Sequence, residues 1–322
     1  MTISVLVACY NASATLAETL QSVLVQSRPP DELIVVDDGS TDHSVQVALN
    51  FKSHGVKLVR QANRGASAAR NRAFAHSSGK HVIFLDADDL IGTNHLEALE
   101  SKLADDGKSI AFSSWDRFYQ SPSEARFPAR QTEVDLPGAD WLVRAWADAR
   151  PMTQPGMFLI PRLLIESCGG WDERLSLTDD FEFFARVLSK CNQLRFAGKA
   201  QLFYRSGIKG SLSGQRSRKA IESHLTSLLT GTSYLLSVRA DAEARGACAA
   251  LLQDFDYSYY PLHSDLRARA KERVVELGGS SIEPDGPPGF HHLRRFVGWK
   301  CARRVQRLAE RYSLGAANGV AS

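Results

Sequence analysis

His81-Val82-Ile83-Phe84-Leu85-Asp86-Ala87-Asp88-Asp89 joins a short apolar run to three carboxylates within four residues. A run with no polar alternation is the pattern of a strand buried on both faces. Ile3-Ser4-Val5-Leu6-Val7-Ala8-Cys9 and Leu33-Ile34-Val35-Val36 upstream have the same character, and residues 56–59 form a shorter example. Between them Leu16, Leu20, Val23 and Leu24 fall at helical spacing, and residues 44–51 and 66–76 read as helices. Strand alternating with helix predicts an α/β fold, a mostly parallel Rossmann-like sheet with right-handed crossovers and helices on both faces. In such sheets ligands bind beyond the carboxyl ends of the strands. Tyr10-Asn11, Asp37-Asp38-Gly39-Ser40 and Asp86-Ala87-Asp88-Asp89 stand at those ends.

Three carboxylates this close repel one another unless a cation or hydrogen-bond donors offset the charge. Alternation in an extended segment puts Asp86 and Asp88 on one side. Hard divalent ions take oxygen ligands and commonly bridge one or two carboxylates to substrate phosphates. The plainer reading is a solvated acidic turn capping the next helix. The Asp37-Asp38 pair can accept hydrogen bonds from a nucleobase or ribose, or can close an Asx-type turn around Gly39. No glycine-rich phosphate loop follows the first strand, so a dinucleotide fingerprint is absent.

The 322 residues suggest two units, or one large α/β unit with an appendage. With 43% hydrophobic and 23% charged residues, collagen, coiled coil and wholesale disorder are excluded. A net charge of +3 gives no whole-molecule argument for nucleic acid. No stretch approaches the roughly 20 apolar residues of a membrane span. The apolar start lacks a basic flank and reads as a first strand, not a leader. Five scattered cysteines without CxxC spacing point to reduced thiols in a cytoplasmic protein. Beyond residue 110 the pattern loosens. Residues 112–115 read as a further strand, residues 179–188 as a helix, and residues 216–277 as a largely helical extension.

Several ordered motifs together resemble the family 2 glycosyltransferases with the GT-A fold. They are Val5 to Asn11, then Gln26-Ser27-Arg28-Pro29-Pro30-Asp31-Glu32-Leu33-Ile34-Val35-Val36-Asp37-Asp38-Gly39-Ser40-Thr41-Asp42, Asn63-Arg64-Gly65, Ala69-Arg70-Asn71 and Phe84 to Asp89. The likeness is close over the first 90 residues and then thins. It implies a nucleotide-diphosphate sugar donor, inversion at the anomeric carbon and a divalent cation, Mn²⁺ or Mg²⁺. Carried over residue by residue, Tyr10, Asp37, Asp38, Arg70 and Asp86 fall on the donor side, and Asp88 with Asp86 on the metal. The cation would neutralise the pyrophosphate and stabilise the leaving nucleoside diphosphate.

An inverting transfer also needs a base for the acceptor hydroxyl. The family's acidic pair, with aromatic residues and an arginine after it, matches Asp179-Asp180-Phe181-Glu182-Phe183-Phe184-Ala185-Arg186. That puts Asp180 as base and Asp179 in the place of a glutamate; helix capping by Thr178 or Asp179 is the structural alternative. Tyr204-Arg205 and Ser211-Leu212-Ser213 resemble the end of the family domain, where a loop folds over the pyrophosphate. A family histidine is replaced there by Gly207-Ile208-Lys209. Of Trp115, Trp141, Trp146 and Trp171, Trp171 abuts the base-bearing segment and is assigned to the acceptor.

The resemblance implies a domain over residues 1–215, with nucleotide-sugar binding in 1–110 and the acceptor side in 111–215. A glycan or lipid-linked glycan of a bacterial surface is the implied acceptor. An inactive nucleotide-sugar or glycan-binding module is the alternative. A phosphohydrolase with an aspartyl nucleophile fits less well, since its motif follows the first strand with Thr or Val four residues on, where this chain has Leu90.

Residues 278–289 read as a flexible linker by composition. Behind it, residues 290–312 hold Arg294, Arg295, Lys300, Arg303, Arg304, Arg307 and Arg311 against Glu310, a local +6 that leaves −3 for residues 1–289. Leu293, Val297, Cys301, Val305, Leu308 and Tyr312 form a helical stripe, with Phe296 and Trp299 nearby. Such a helix can lie on an anionic membrane at the inner face of the cell, or dock on the protein with its basic face in solvent.

Overall fold

The apolar runs of the first ninety residues become four parallel strands. In the computed structural model, which describes residues 1–104, 106–208 and 216–318 with side chains to residue 310, the chain opens with β1 (Ile3–Cys9), α1 (Leu16–Leu24), β2 (Glu32–Asp37), α2 (Ser44–Asn50), β3 (Val56–Arg60), α3 (Ala66–Ala75) and β4 (His81–Asp86). It continues through β5 (Leu90–Ile91), α4 (His95–Glu100), β6 (Ile110–Phe118), α5 (Gly138–Trp146), β7 (Phe158–Pro161), α6 (Arg162–Cys168), α7 (Asp179–Ser189) and β8 (Leu194–Arg205). Helices α8 (Arg218–Val238), α9 (Ala242–Tyr259), α10 (Ser264–Glu276) and α11 (Pro288–Asn318) follow.

The sheet order is β3-β2-β1-β4-β7-β6-β8-β5. Strands β3, β2, β1 and β4 are parallel, as expected, and the register aligns Cys9 with Asp37 and Ala8 with Asp86. The strand order turns at β1, so the acidic ends of β2 and β4 flank one crevice. The second half of the sheet is mixed. β7 runs against β4 and β6, β8 runs with β6, and β5 runs against β8. Sequence reading sees β6 but misses β7, a buried run of only four residues, and β8, whose burial is intermittent and which carries charged residues.

Ile3, Val5, Leu6 and Val7 are at most 1% exposed, which is why β1 needs no polar alternation. Its one buried hydroxyl is satisfied: Ser4 Oγ donates to Glu32 and accepts from the Gly79 amide. All five cysteines are free, as expected. Burial pushes Cys9 up to about 11, and Cys191 and Cys248 up to about 12, so these three are inert thiols at neutral pH.

The chain divides into two units, residues 1–145 with 151–239, and residues 146–150 with 240–322. The first therefore keeps α8. In the second, Asp241 caps α9 by accepting from the Ala244 amide, and an alanine-rich face of that helix is buried. Asp256, 1% exposed, takes Arg267 Nε at 2.7 Å, with Lys271 Nζ at 3.5 Å. Residues 278–287 are irregular, but they are tied to their own unit. Tyr257 donates to the Ile282 carbonyl, Arg294 to Pro284 and Glu283, and Arg303 to the Asp285 carbonyl, while Arg150 and His291 pair with the Asp285 carboxylate. Composition suggests a free linker there because it cannot register ion pairs made with distant helices. No helix among the described residues is long and apolar enough to cross a membrane.

Candidate active site

The loops after β1 and β2 are laced by their own polar side chains. Ser40 Oγ accepts from the Asn11 amide, Asn11 Oδ1 accepts from the Thr41 amide, and Asp42 accepts from Ser13 and Ser44. Asn11 sits at φ 49°, where an Asn is tolerated because its short amide bonds locally. This lacing leaves Tyr10 at the strand end, 52% exposed.

Asp38 is 2% exposed and already engaged. It accepts from Gln61 Nε2 at 2.7 Å, the Arg64 amide at 2.9 Å and the Gly65 amide at 2.8 Å. Its carboxylate thereby holds the 61–65 loop in place. Asp37 is the member of the pair with an acceptor to spare. Its Oδ1 takes the Ser40 amide, while Oδ2 has no hydrogen-bond partner and lies 3.8 Å from Arg60 Nε.

At the end of β4 the acidic run spreads into separate tasks. Asp86 accepts from Arg70 at 2.7 Å. Asp89, fully buried, accepts from the Arg205 amide at 2.9 Å and so ties the loop to β8. Burial and then the charges of Asp88 and Asp86 push Asp89 well above the usual carboxylate range. Burial and then Asp86 raise Asp88 to about 6. Arg205 donates from Nε to the Asp88 carbonyl at 2.8 Å, pairs with Glu18, and lies over the Phe118 ring. It braces the acidic loop from behind.

Helix α7 brings the second acidic group to the same place. Arg70, on α3 and 7% exposed, forks between two carboxylates, with Asp86 Oδ1 at 2.7 Å and Asp179 Oδ2 at 2.8 Å. Ser67 also donates to Asp179 at 2.7 Å, and Asp179 Oδ1 takes the Asp180 amide. Asp179 is thus fully occupied by positioning contacts. Asp180 receives a single hydrogen bond, from the Phe181 amide at 2.9 Å to Oδ1. Burial and then the neighbouring Asp179 charge push Asp180 up to about 7. Asp179 is thus fixed by its partners, while Asp180 beside it is raised toward neutrality, the range in which a carboxylate can accept a proton.

The start of α7 is strained. Thr178 lies at φ 57°, a conformation unfavourable for a β-branched residue. Its side chain does not cap the helix and donates to the Leu177 carbonyl instead. Two serines of α8 hold the segment: Ser223 accepts from the Ser176 and Leu177 amides, and Ser227 donates to the Thr178 carbonyl at 2.5 Å. Arg186 fixes the other flank by donating to the carbonyls of Cys168, Gly169 and Gly170, with Glu182 as its ion partner.

Trp171 is not at the acceptor surface. It is 3% exposed, stacked on Phe183 at 4.0 Å and edge-on to Phe84 at 5.2 Å. Its ring carries the Arg70 guanidinium at 4.4 Å, so it supports the fork. Asn71 pins it in place, donating to the Trp171 carbonyl and accepting from its amide. Trp115, Trp141 and Trp146 are buried as well. Sequence reasoning missed Ser67, Ser223 and Ser227, which carry no motif signal because serines are common on helices, and it gave Asn71, inside the Ala69-Arg70-Asn71 motif, no role of its own. Lys209 and Ser211 to Ser213 lie outside the described residues.

Among the described residues no group of three or more His, Cys, Asp or Glu side chains converges to hold a metal. The donor set on offer is Asp88 with Asp86, oxygen only. That suits a hard divalent cation completing its shell from phosphate oxygens and water.

Residues 4–166, half of the 322-residue chain, match the family model described as glycosyl transferase family 2. The chain belongs to that family. A family 2 relative, the uncharacterized glycosyltransferase YibD of Escherichia coli, is 35% identical over 147 residues, 44% of this chain and 42% of that protein. The E. coli enzyme named UDP-Glc:alpha-D-GlcNAc-diphosphoundecaprenol beta-1,3-glucosyltransferase WfgD is 32% identical over 130 residues, 40% of this chain and 51% of its own. The matches thus span about half or less of these relatives' lengths. Staphylococcus aureus TarS 1–349, solved with UDP-GlcNAc, superposes with a TM-score of 0.67 at 16% identity, covering 96% of this family 2 chain and 92% of that one. The fold is shared, C-terminal helices included in the span.

Proposed function

We propose that this chain is an inverting glycosyltransferase that moves a sugar from a nucleoside-diphosphate sugar to a hydroxyl of a glycan or lipid-linked glycan. Bacterial surface glycan synthesis is the setting, at the cytoplasmic side, with Mn²⁺ or Mg²⁺ as cofactor. The observation that carries the reading is the Arg70 fork, which joins the donor-side Asp86 to the Asp179-Asp180 pair. The names of the relatives support a nucleotide-sugar donor, and WfgD's name a lipid-diphosphate acceptor.

In the reaction the acceptor oxygen attacks the anomeric carbon as the bond to the diphosphate oxygen breaks. Asp180 takes the acceptor proton, and the electron pair leaves with the nucleoside diphosphate. Asp179 and Arg70 hold Asp180 in place, and Arg70 contributes positive charge near the departing phosphates. Tyr10 offers an exposed ring to the nucleobase, and Asp37 a buried carboxylate oxygen that lacks a hydrogen-bond partner. Asp88 and Asp86 are the residues that would hold the cation, which would supply charge neutralisation to the leaving group. With the pair at 179–180 intact, these residues favour an enzyme over a binding module.

The test is donor binding and turnover with a panel of nucleotide sugars. Saturation with the right donor and Mn²⁺ at about 100 times Kd stabilises the fold by roughly 2.7 kcal/mol, readable as a melting shift. Asp88→Ala should abolish the metal-dependent part of that shift. If one donor binds yet is neither hydrolysed nor transferred under any condition, the binding-module reading replaces this one.

A further inference from the structure

The basic C-terminal helix α11 turns the opposite face from the expected one toward its own unit. Gly298, at φ 73°, breaks the helix, and the part after it is oriented by Trp299. That ring meets Tyr257 at 4.9 Å and Tyr260 at 5.1 Å. One and two turns on, Ala302 and Arg303 are buried, and Arg307 donates to the Ser258 carbonyl. Arg303 lies over Phe290 and bonds the Asp285 carbonyl. The docked face is therefore 299, 302, 303, 306 and 307, at helical spacing.

At 100° per residue, Cys301, Val305 and Leu308 point the other way. Val305 is 51% exposed and Leu308 53%. Before the break, Phe296 is 76% exposed and Val297 47%. Arg295, Lys300 and Arg304 are exposed beside them. Of these cations, Lys300 and Arg304 fall on one border of the apolar strip. The cationic side chains with ion or carbonyl partners, Arg294, Arg303 and Arg307, are the ones turned inward.

We infer that this outward face of α11 is a docking surface for an anionic lipid bilayer. Its apolar strip suits the acyl boundary and its cationic border suits phosphate headgroups. The charge complementarity is local: the cations exposed beside the apolar strip are Arg295, Lys300 and Arg304, in a segment that carries +6 overall against −3 for residues 1–289. The inference stands on α11 and does not rest on the donor or acceptor assignment.

The experiment is flotation of the full chain with vesicles of phosphatidylcholine alone, or with about 30% phosphatidylglycerol, at low salt and at about 0.5 M salt. The chain should float with the anionic vesicles, at least about fivefold above the neutral ones, and lose most of that in high salt. Lys300→Glu/Arg304→Glu should cut binding by about tenfold. Val305→Gln/Leu308→Gln should cut it comparably, with the melting midpoint unchanged because these side chains are exposed. Equal partition into neutral and anionic vesicles, or wild-type flotation by both variants, overturns the inference. So does a dimer by light scattering that Val305→Gln/Leu308→Gln dissolves, which would mean that a second copy covers the face. Donor binding is measured on the same samples, so failure here leaves the catalytic reading standing, and the reverse.

Discussion

Asp180→Asn should lower kcat by about a thousandfold while leaving donor affinity within about twofold, because only the proton acceptor is removed. The wild-type pH profile carries the same signature. A base must be unprotonated, and burial beside Asp179 raises Asp180 to about 7. kcat/KM should therefore climb about tenfold per pH unit below that value and flatten above it. Stability moves the other way. A carboxyl raised from 3.8 in the folded state holds its proton more tightly there, so ionising it costs folding free energy. The cost is absent below pH 3.8, grows as the pH rises toward about 7, and is constant above. Asn removes it. The stability of the variant relative to the wild type should therefore rise steadily between about pH 4 and pH 7 and level off above, which melting curves across that range would read. Loss of donor binding equal to that of Asp88→Ala would contradict the separate roles.

Arg70→Met should be the most damaging single substitution at the site. The side chain is 8% exposed, pairs with two carboxylates at 2.7 and 2.8 Å, and stacks on Trp171. Its removal leaves Asp86 and Asp179 facing each other and Asp180 without a counter-ion. Breaking a buried ionic cluster on one side costs about 3–5 kcal/mol, or a melting midpoint lower by roughly 10 °C in a chain of this size. The gap between variant and wild type should narrow as the pH falls from 8 to 5, since protonation relieves the unpaired acids. Arg70→Lys keeps the charge but cannot span both carboxylates with one planar fork. It should recover part of the stability and little of the turnover. A Met variant within about 1 kcal/mol of wild type at pH 8 would show that the fork is not what holds the two halves together.

The parallel half of the fold was legible because β1, β2 and β4 are buried on both faces and advertise it with unbroken apolar runs. The acidic strand ends were legible for a related reason: Asp37, Asp86 and Asp88 break off apolar runs with charge. The rest depends on contacts made across more than a hundred residues. The resemblance puts Asp179 in the place of a glutamate, with capping as the alternative, and neither reading contains the Arg70 and Ser67 bonds it makes. Trp171 looks available beside two glycines, yet Phe84, Phe183 and Asn71 enclose it. The apolar stripe of α11 was visible as periodicity, but periodicity does not say which face is turned inward. Trp299 decides that, through two tyrosines forty residues earlier in a helix and its end.

The two serines of α8 have a practical meaning for where this enzyme can be cut. The match to the family model ends at residue 166, short of Asp179 and Asp180. The segment carrying them is strained at Thr178 and is held there by Ser223 and Ser227. A fragment trimmed to the matched residues would lack the acidic pair and the second carboxylate partner of Arg70. One trimmed at residue 215 would keep the pair but lose the grip on its backbone. The shortest piece with both runs to Arg239, so the border drawn by likeness and the border drawn by chemistry fall more than seventy residues apart.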